Sequence, residues 1–203
     1  MKIFILKERS LNERRVSLVP DVAKKLINDG FEVFIESSAG DYSNFSDDQY
    51  SSVGVKIVDL DTSLPNCDII FSVKMPDIEI IKKMKAEACL IGLLNPYDNH
   101  DELKALSENN VNAFSMELVP RSPRAQSMDV LSSQSNLAGY KAIVDSSSMF
   151  NRAMPMMMTA AGTIAPAKIF IMGVGVAGLQ AIATSKRMGA VVSATDVRRA
   201  AGE

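Results

Sequence analysis

Three glycines and one acid near the end of the sequence have the types and spacing to hold a phosphate and a sugar. Gly173, Gly175 and Gly178 form the pattern GxGxxG directly after a short apolar run at 168–172. The first glycine permits a tight turn, the second lets a diphosphate approach the backbone, and the third lets a helix pack against the strand. Asp196 lies close to the spacing of roughly 20 residues at which a carboxylate accepts from a ribose hydroxyl. The pattern predicts a dinucleotide site.

The residues after the glycines support this interpretation. Apolar residues recur there at helical spacing, at Leu179, Ile182, Ala183 and Met188, before Gly189. A helix that begins at the turn directs its free N–H groups and the positive end of its dipole at the phosphates. A strand-to-helix turn that binds nothing is the less specific alternative.

The acid also bears on which dinucleotide is bound. A carboxylate at Asp196 would repel a 2′-phosphate, so the sequence favours NAD(H) over NADP(H). Arg198 and Arg199 weaken this preference, because arginines can bind a phosphate. NAD(H) remains the predicted cofactor.

The composition limits the class of protein. With 203 residues, of which 47% are hydrophobic, the chain can build a core and form one or two domains. The net charge of −2, with acids and bases interspersed, argues against a nucleic-acid partner. The apolar stretch 153–167 is interrupted by Pro155, Gly162 and Pro166, which argues against a membrane span. The first residues lead straight into a strand, without a signal-peptide cleavage pattern.

The two cysteines and the one histidine carry no specific signal. Cys67 and Cys89 lie in apolar, strand-like runs, and two buried thiols fit them better than a disulfide or a metal site. His100 lies in a polar segment typical of a helix start, where a solvated surface role is expected.

Strand and helix patterns alternate from the first residue, which predicts an α/β fold with parallel sheets covered by helices. The strand candidates are 2–6, 31–35, 56–59, 68–73, 89–94, 111–115 and 168–172. The helix candidates are 20–30, with Pro20 at its first turn and Gly30 as its stop, then 77–85 and 101–107. Ser46 and Gln49 have the form of a capping box for a further short helix.

A long helix is expected from Ser132 or Ser133 to Met149, with an apolar stripe at Leu137, Tyr140, Ile143 and Val144. The methionines at 154 and 156–158 then suit flexible packing at a domain junction. We expect an α/β domain at 1–130, a linking helix and junction at 131–166, and the start of a second domain at 167–203. Both domains are expected to be Rossmann-like, doubly wound parallel sheets.

The second of these domains is expected to be truncated after its first β-α-β unit. A sheet that binds a whole dinucleotide needs several more strands. The sequence therefore predicts an N-terminal fragment or a truncated gene product, inactive by itself.

A polar segment precedes the long helix and could meet the nicotinamide. It contains Arg121, Arg124, Gln126, Asp129 and Ser132, near Pro120 and Pro123. If it faced the glycine-rich turn, Arg and Ser could hold a carboxamide oxygen, Gln could reach ribose hydroxyls, and Asp could orient the Arg. A solvated loop followed by a serine helix cap is the alternative.

These motifs together closely resemble the NAD(H)-binding domain of the alpha subunit in proton-translocating NAD(P) transhydrogenases, over the whole chain. The most specific strings are RAQSMDVLSSQSNLAGY, PMMMTAAGT and GVGVAGLQAIATSKRMGAVVSATDVR. The strings KERSLNERRVSLVP and SVKMP are shared more widely, with alanine dehydrogenases. The resemblance therefore places the chain near an alanine dehydrogenase/transhydrogenase family.

The resemblance implies two groups of binding residues and no catalytic side chain or metal. It places a polar loop at the nicotinamide end, formed by Arg121, Ser122, Pro123, Gln126, Asp129 and Ser132. It places Gly173, Gly175, Val176 and Gly178 at the pyrophosphate, and Asp196, Val197 and Arg198 at the adenosine ribose.

The resemblance also implies an activity and partners. Hydride would pass directly from NADH on this domain to NADP⁺ on a partner domain, in an enzyme of the Si/Re-specific type. A membrane domain outside this chain would couple the transfer to proton translocation. The implied partners are that membrane domain, an NADP(H)-binding subunit and a second copy of the chain, at the cytoplasmic face of the inner membrane.

The main rival is an alanine dehydrogenase-like amino-acid dehydrogenase. That class binds an oxo acid with an arginine and a lysine, to which Arg15 and Lys74 correspond, and uses a histidine where Asn95 stands here. Asparagine cannot shuttle a proton, so Arg15 and Lys74 are expected to be remnants or structural ion-pair partners. A truncated, non-catalytic nucleotide-binding fragment is the third possibility.

Overall fold

The computed structural model describes residues 1–198, and these divide between Met128 and Asp129 into two compact units. The long helix predicted as part of a linker belongs to the second unit. The domain boundaries near 130 and 166 stay predictions.

The first unit is built on one six-stranded sheet in which every neighbouring pair is parallel. Its strands are β1 Lys2–Ile5, β2 Glu32–Glu36, β3 Lys56–Val58, β4 Ile69–Lys74, β5 Cys89–Leu93 and β6 Asn112–Ser115. They lie in the order β3-β2-β1-β4-β5-β6, the doubly wound order. Three consecutive residues of β1 are buried, as expected for a strand covered on both faces.

Five helices connect these strands: α1 Pro20–Asn28, α2 Asp47–Ser52, α3 Leu60–Ser63, α4 Ile78–Ile81 and α5 His100–Glu108. The predicted start of α1 at Pro20 is confirmed, and the chain turns after it at Gly30, whose φ is +91°. The predicted capping box of Ser46 and Gln49 is also confirmed.

The helix predicted over 77–85 is wrong in its length. After Ile81 the backbone makes i→i−3 bonds, with the N–H of Lys83 and of Met84 donating to Ile80 and Ile81 at 3.0 Å. Such bonds close the end of a helix. They also turn Met84 into the core, where it is buried.

Alternate residues of β1 serve two hydrophobic clusters, one on each face of the sheet. Phe4 and Leu6 belong to one cluster, and Ile3 and Ile5 to the other. Tyr50 is fully buried in the second cluster, where its hydroxyl donates to the Leu18 carbonyl at 2.7 Å. Burial raises the pKa of Tyr50 to about 12.

The second unit contains α6 Val130–Met149, α7 Val176–Arg187 and two small sheets. Strands β7 Met157–Thr159 and β8 Gly162–Ile164 form an antiparallel hairpin, and β9 Lys168–Met172 pairs in parallel with β10 Val191–Thr195. Its core consists of Ile143, Met154, Ala167 and Ala181. The predicted α/β fold with parallel sheets is therefore confirmed.

The two helices of this unit cross at very short range. A Cβ added to Gly139 of α6 would lie 2.1 Å from the Ala177 carbonyl oxygen of α7. Only a glycine permits this approach, so the backbones of α6 and α7 come together at Gly139 and Ala177.

Several sequence expectations for the second unit are wrong. The long helix begins at Val130, and Leu137 and Tyr140 of its predicted apolar stripe are exposed. Of the methionine cluster only Met154 is buried; Met156, Met157 and Met158 are exposed on or beside the hairpin.

The predicted thiols differ in their burial. Both cysteines are free, but only Cys67 is buried, while Cys89 is half-buried. Burial raises the pKa of the Cys67 thiol to about 11.

Within residues 1–198, no helix combines the length and the apolar character that a membrane crossing requires.

Candidate functional site

The glycine-rich turn joins β9 to α7, and two of its glycines are required by the backbone. Gly173 has a φ of +95°, in the left-handed region that residues with a Cβ rarely adopt. A Cβ on Gly178 would lie 1.8 Å from the Gly173 carbonyl oxygen. The turn can therefore close against the helix only with glycine at both positions, as the pattern predicted.

Gly175, the middle glycine of the pattern, lies beside open space. A Cβ on Gly175 would meet nothing within 4 Å, and Gly175 is the residue that caps the start of α7. The first N–H groups of a helix have no acceptor within the helix, and they carry the positive end of its dipole. The first turn of α7, which lies wholly within the described residues, contains no acid. The turn thus has the shape and polarity to receive a diphosphate.

Asp196, just after β10, lies at this turn. Its Oδ2 accepts from the Val174 N–H at 2.7 Å, and the Gly173 N–H donates to the Thr195 carbonyl at 2.7 Å. The predicted ribose acid and the predicted phosphate turn are therefore adjacent in the structure.

Arg198 binds the same carboxylate. Its Nε lies 3.0 Å from Oδ1 of Asp196 and a terminal guanidinium nitrogen lies 3.1 Å from Oδ2, while its backbone N–H donates to Oδ1 at 2.8 Å. The Arg198 guanidinium, together with the Val174 N–H, holds the pKa of Asp196 well below its usual range. Asp196 is therefore an anion at any pH near neutrality.

The remaining residues predicted at this end are exposed where the structure describes them. Val176 at the start of α7 and Val197 beyond β10 are exposed, and Arg199 lies outside the described residues. Exposed positions can contact a ligand without moving the core.

The predicted nicotinamide loop is divided between the two units. Arg121, Ser122, Pro123 and Gln126 lie in the first unit, in and before a 3-10 turn spanning Pro123–Met128. Apart from half-buried Ser122, these side chains are exposed.

Asp129 and Ser132 lie in the second unit, at the start of α6. The Asp129 carboxylate accepts from the Ser132 N–H at 2.9 Å and from the Ser132 hydroxyl at 2.7 Å. Asp129 is therefore the helix cap, which corrects the expectation of a serine cap. An aspartate can cap a helix as a serine does, so the helix begins about one turn earlier and the Ser132 N–H is among the groups that are capped.

The sheet of the first unit has its own crevice, where the strand order reverses between β1 and β4. Arg15 and Lys74 share one partner there. Arg15 donates two side-chain hydrogen bonds to Glu13, at 2.6 and 2.7 Å, and Lys74 Nζ lies 3.8 Å from the same carboxylate. Arg15, by hydrogen bonds and charge, lowers the pKa of Glu13 to about 2.

Sequence reasoning missed Glu13, although an acid two residues before Arg15 was a visible signal. It missed Glu8 as well, which accepts from the Val73 and Lys74 N–H groups at the end of β4. Burial is the main cause that raises the pKa of Glu8. The cavity beside it holds about 20 Å³, room for a water molecule but not for a nucleotide.

Asn95, which stands where the rival class of enzyme has its histidine, is fixed by acids. Its backbone N–H donates to Glu117, and its side-chain amide donates to Asp98 at 2.8 Å. An amide held in this way offers no titratable proton.

The sequence matches the models of two related domain families. Residues 4–138 match the alanine dehydrogenase/PNT N-terminal domain, and residues 142–203 match the alanine dehydrogenase/PNT C-terminal domain.

Comparisons with individual proteins also match transhydrogenases and alanine dehydrogenases. Over its full length the chain is 48% identical to an NAD(P) transhydrogenase alpha subunit (the first of its portions) of Rhodospirillum rubrum, of which it covers 54%. It is 32% identical to an alanine dehydrogenase of Staphylococcus epidermidis, with 97% of the chain and 53% of that protein covered. The chain thus spans about half the length of the curated relatives it matches.

A solved transhydrogenase structure from Sinorhizobium meliloti superposes with a TM-score of 0.95 at 48% identity. The match covers 99% of this chain and 60% of that one.

Proposed function

Because the chain belongs to the alanine dehydrogenase/PNT family, we propose that it is the NAD(H)-binding portion of a proton-translocating transhydrogenase. Hydride passes directly from NADH on this portion of the protein to NADP⁺ on a separate domain. Sequence identity favours a transhydrogenase over an alanine dehydrogenase within the family, since the chain is 48% identical to the transhydrogenase subunit and 32% identical to the alanine dehydrogenase.

The observation that carries the proposal is the geometry of the turn between β9 and α7. Gly173, Gly175 and Gly178 leave the space and the amide groups for a diphosphate, with Val176 at the first helical position. Asp196 lies within reach of the same turn and receives the adenosine ribose, with Val197 and Arg198 beside it. Asp196 favours NAD(H), since its negative charge repels a 2′-phosphate.

NAD(H), when bound, supplies the hydride, and the residues of this chain hold it in place. Direct transfer between two nicotinamides exchanges no proton with a substrate, so it needs positioning and no general acid or base. Arg121, Ser122, Pro123, Gln126, Asp129 and Ser132 hold the nicotinamide end. The one histidine, His100, begins α5 in the first unit, and the proposed transfer assigns it no role.

The proposal includes partners that supply the rest of the reaction. They are an NADP(H)-binding subunit, a membrane domain that couples hydride transfer to proton movement, and a second copy of this chain. The chain then lies at the cytoplasmic face of the inner membrane, held there through its partners.

The rival activity, alanine dehydrogenase, is opposed by two features of the first unit. Glu13 already binds Arg15 and lies near Lys74, the two cations that the rival would use for an oxo acid. Asn95 replaces the histidine and is bound to Asp98.

Two assays test the proposal with the intact protein. With its NADP(H)-binding and membrane partners, it is expected to transfer hydride from NADH to an NADP⁺ analogue. Without them, NADH with pyruvate and ammonia is expected to give no turnover. Turnover of pyruvate would establish the rival activity. NADH binding without hydride transfer in the assembled complex would leave a nucleotide-binding module instead of an enzyme.

A further inference from the structure

The carboxylate of Asp196 is saturated by donors from the protein. Oδ2 accepts from the Val174 N–H and from the Arg198 guanidinium, and Oδ1 accepts from the backbone N–H and the Nε of Arg198. An ionised carboxylate offers about four lone-pair positions. A ribose diol that binds Asp196 must therefore displace at least one of these donors.

The Arg198 side chain is the donor that can leave most easily. Val174 is held in the turn that Gly173 and Gly178 close, so its N–H cannot move without opening that turn. The Arg198 side chain is 64% exposed, and water can replace its partners when it moves. The pair is exposed on the arginine side alone, since the Asp196 side chain is 8% exposed, and water screens the guanidinium, so releasing it costs little.

We propose that Arg198 is a specificity-determining residue that competes with the ribose diol for Asp196 while its cation offsets the repulsion of a 2′-phosphate. This inference rests on the proposed NAD(H) site. In the free protein Arg198 occupies the acceptor positions that the ribose needs, which weakens NADH binding. For a 2′-phosphorylated dinucleotide the same guanidinium is the nearby cation, so it strengthens NADPH binding.

Arg198 is thus expected to weaken NADH binding and to strengthen NADPH binding. These opposite signs distinguish a specificity role from a structural role. Loss of a merely structural residue would weaken NADH and NADPH binding together. Loss of Arg198 is expected to tighten NADH binding about two- to fivefold, the range of an ion pair whose cation is solvated, and not to tighten NADPH binding.

The experiment titrates NADH and NADPH into the intact protein, by nucleotide fluorescence, for wild type and three variants. Arg198→Ala removes the competitor, and Arg198→Lys keeps the charge but loses the two-point contact with the carboxylate. Arg187→Ala removes an exposed cation at the far end of α7 and serves as the control. Arg198→Ala is expected to raise the ratio of NADH to NADPH affinity, Arg198→Lys to raise it less, and Arg187→Ala to leave it unchanged.

The outcomes separate this inference from the proposed function. Wild type that binds NADH while Arg198→Ala leaves the ratio unchanged, or lowers it, overturns the inference alone. Wild type that binds no NADH overturns the proposed function and the inference with it. If circular dichroism shows Arg198→Ala unfolded, Arg198→Lys decides: a raised ratio supports the inference and an unchanged ratio overturns it.

Discussion

The Asp196 carboxylate accepts a hydrogen bond from the Val174 N–H at 2.7 Å, which joins the end of β10 to the turn after β9. The acid that would hold the ribose thus also fixes the turn that would hold the diphosphate. The ribose end and the diphosphate end of the proposed NAD(H) site are therefore joined by a hydrogen bond, and a substitution at Asp196 is expected to affect both.

Replacing Asp196 is expected to weaken NADH binding. Asp196→Ala removes the acceptor for the ribose and the partner of the Val174 N–H, so affinity falls about tenfold or more, as for an unpaired polar contact. Calorimetric titration measures the change. Asp145→Ala, which removes an exposed acid paired with Lys141 on α6, is the control and leaves affinity unchanged. Equal affinity in Asp196→Ala and wild type would remove Asp196 from the site.

Alanine substitutions at two glycines of the turn are expected to have different effects, one on stability and the other on NADH binding. Gly178→Ala places a Cβ 1.8 Å from the Gly173 carbonyl oxygen, so it destabilises the fold by about 1–3 kcal/mol, the usual cost of overpacking. Gly175→Ala meets nothing within 4 Å and keeps its stability, but its methyl group occupies the space of the diphosphate and weakens NADH binding. Urea unfolding and NADH titration of both variants measure this. Stability loss in Gly175→Ala, or its absence in Gly178→Ala, would contradict the geometry.

The Glu13 ion pair gives the first unit a defined pH dependence. The folded pKa of Glu13, about 2, lies below its ordinary value of 4.5. A lowered pKa means that the pair stabilises the folded state above the unfolded pKa and that this stability is lost as the pH falls from 4.5 towards 2.

Glu13→Gln is therefore expected to lose less stability than wild type over that acid range. Urea midpoints at several pH values, followed by circular dichroism, give the comparison. Glu108→Gln changes an exposed acid at the end of α5 and is the control. Parallel pH profiles for wild type and Glu13→Gln would show that the pair contributes nothing.

The two thiols are expected to react at different rates in the native protein. Burial raises the pKa of Cys67 to about 11, so little thiolate is present near neutral pH, and its Sγ lies 3.2 Å from the Ser63 carbonyl oxygen. The half-buried Cys89 is more accessible. Iodoacetamide is expected to label Cys89 first, and both thiols equally in urea. Cys67→Ser and Cys89→Ser assign the label; faster labelling of Cys67 would mean that its site opens.

Local features of the fold could be read from the sequence, because they depend on neighbouring residues. The turn at Gly173, the capping box of Ser46 and Gln49, and the start of α1 at Pro20 all rest on backbone conformation within a few residues. The class of fold, a parallel sheet covered by helices, followed from the alternation of apolar runs with helices, whereas the order of the strands came from the structure.

Other features could not be predicted because they depend on packing between distant segments. Periodicity indicated which residues of α6 share a face, but Leu137 and Tyr140 of that face are exposed, while Gly139 lies against Ala177 of α7. The Arg198 pairing with Asp196 and the Glu13 pairing with Arg15 and Lys74 depend on side-chain directions that spacing does not give. The ligand contacts of the loop around Gln126 stay predictions.

The most direct test of the account is a crystal structure of the intact protein with NADH. It is expected to place the diphosphate against the amide groups at the start of α7, and the adenosine ribose hydroxyls on Asp196, with the Arg198 side chain moved away from that carboxylate. A dinucleotide bound elsewhere, with Gly175 facing solvent and Asp196 still bound by Arg198, would contradict the account.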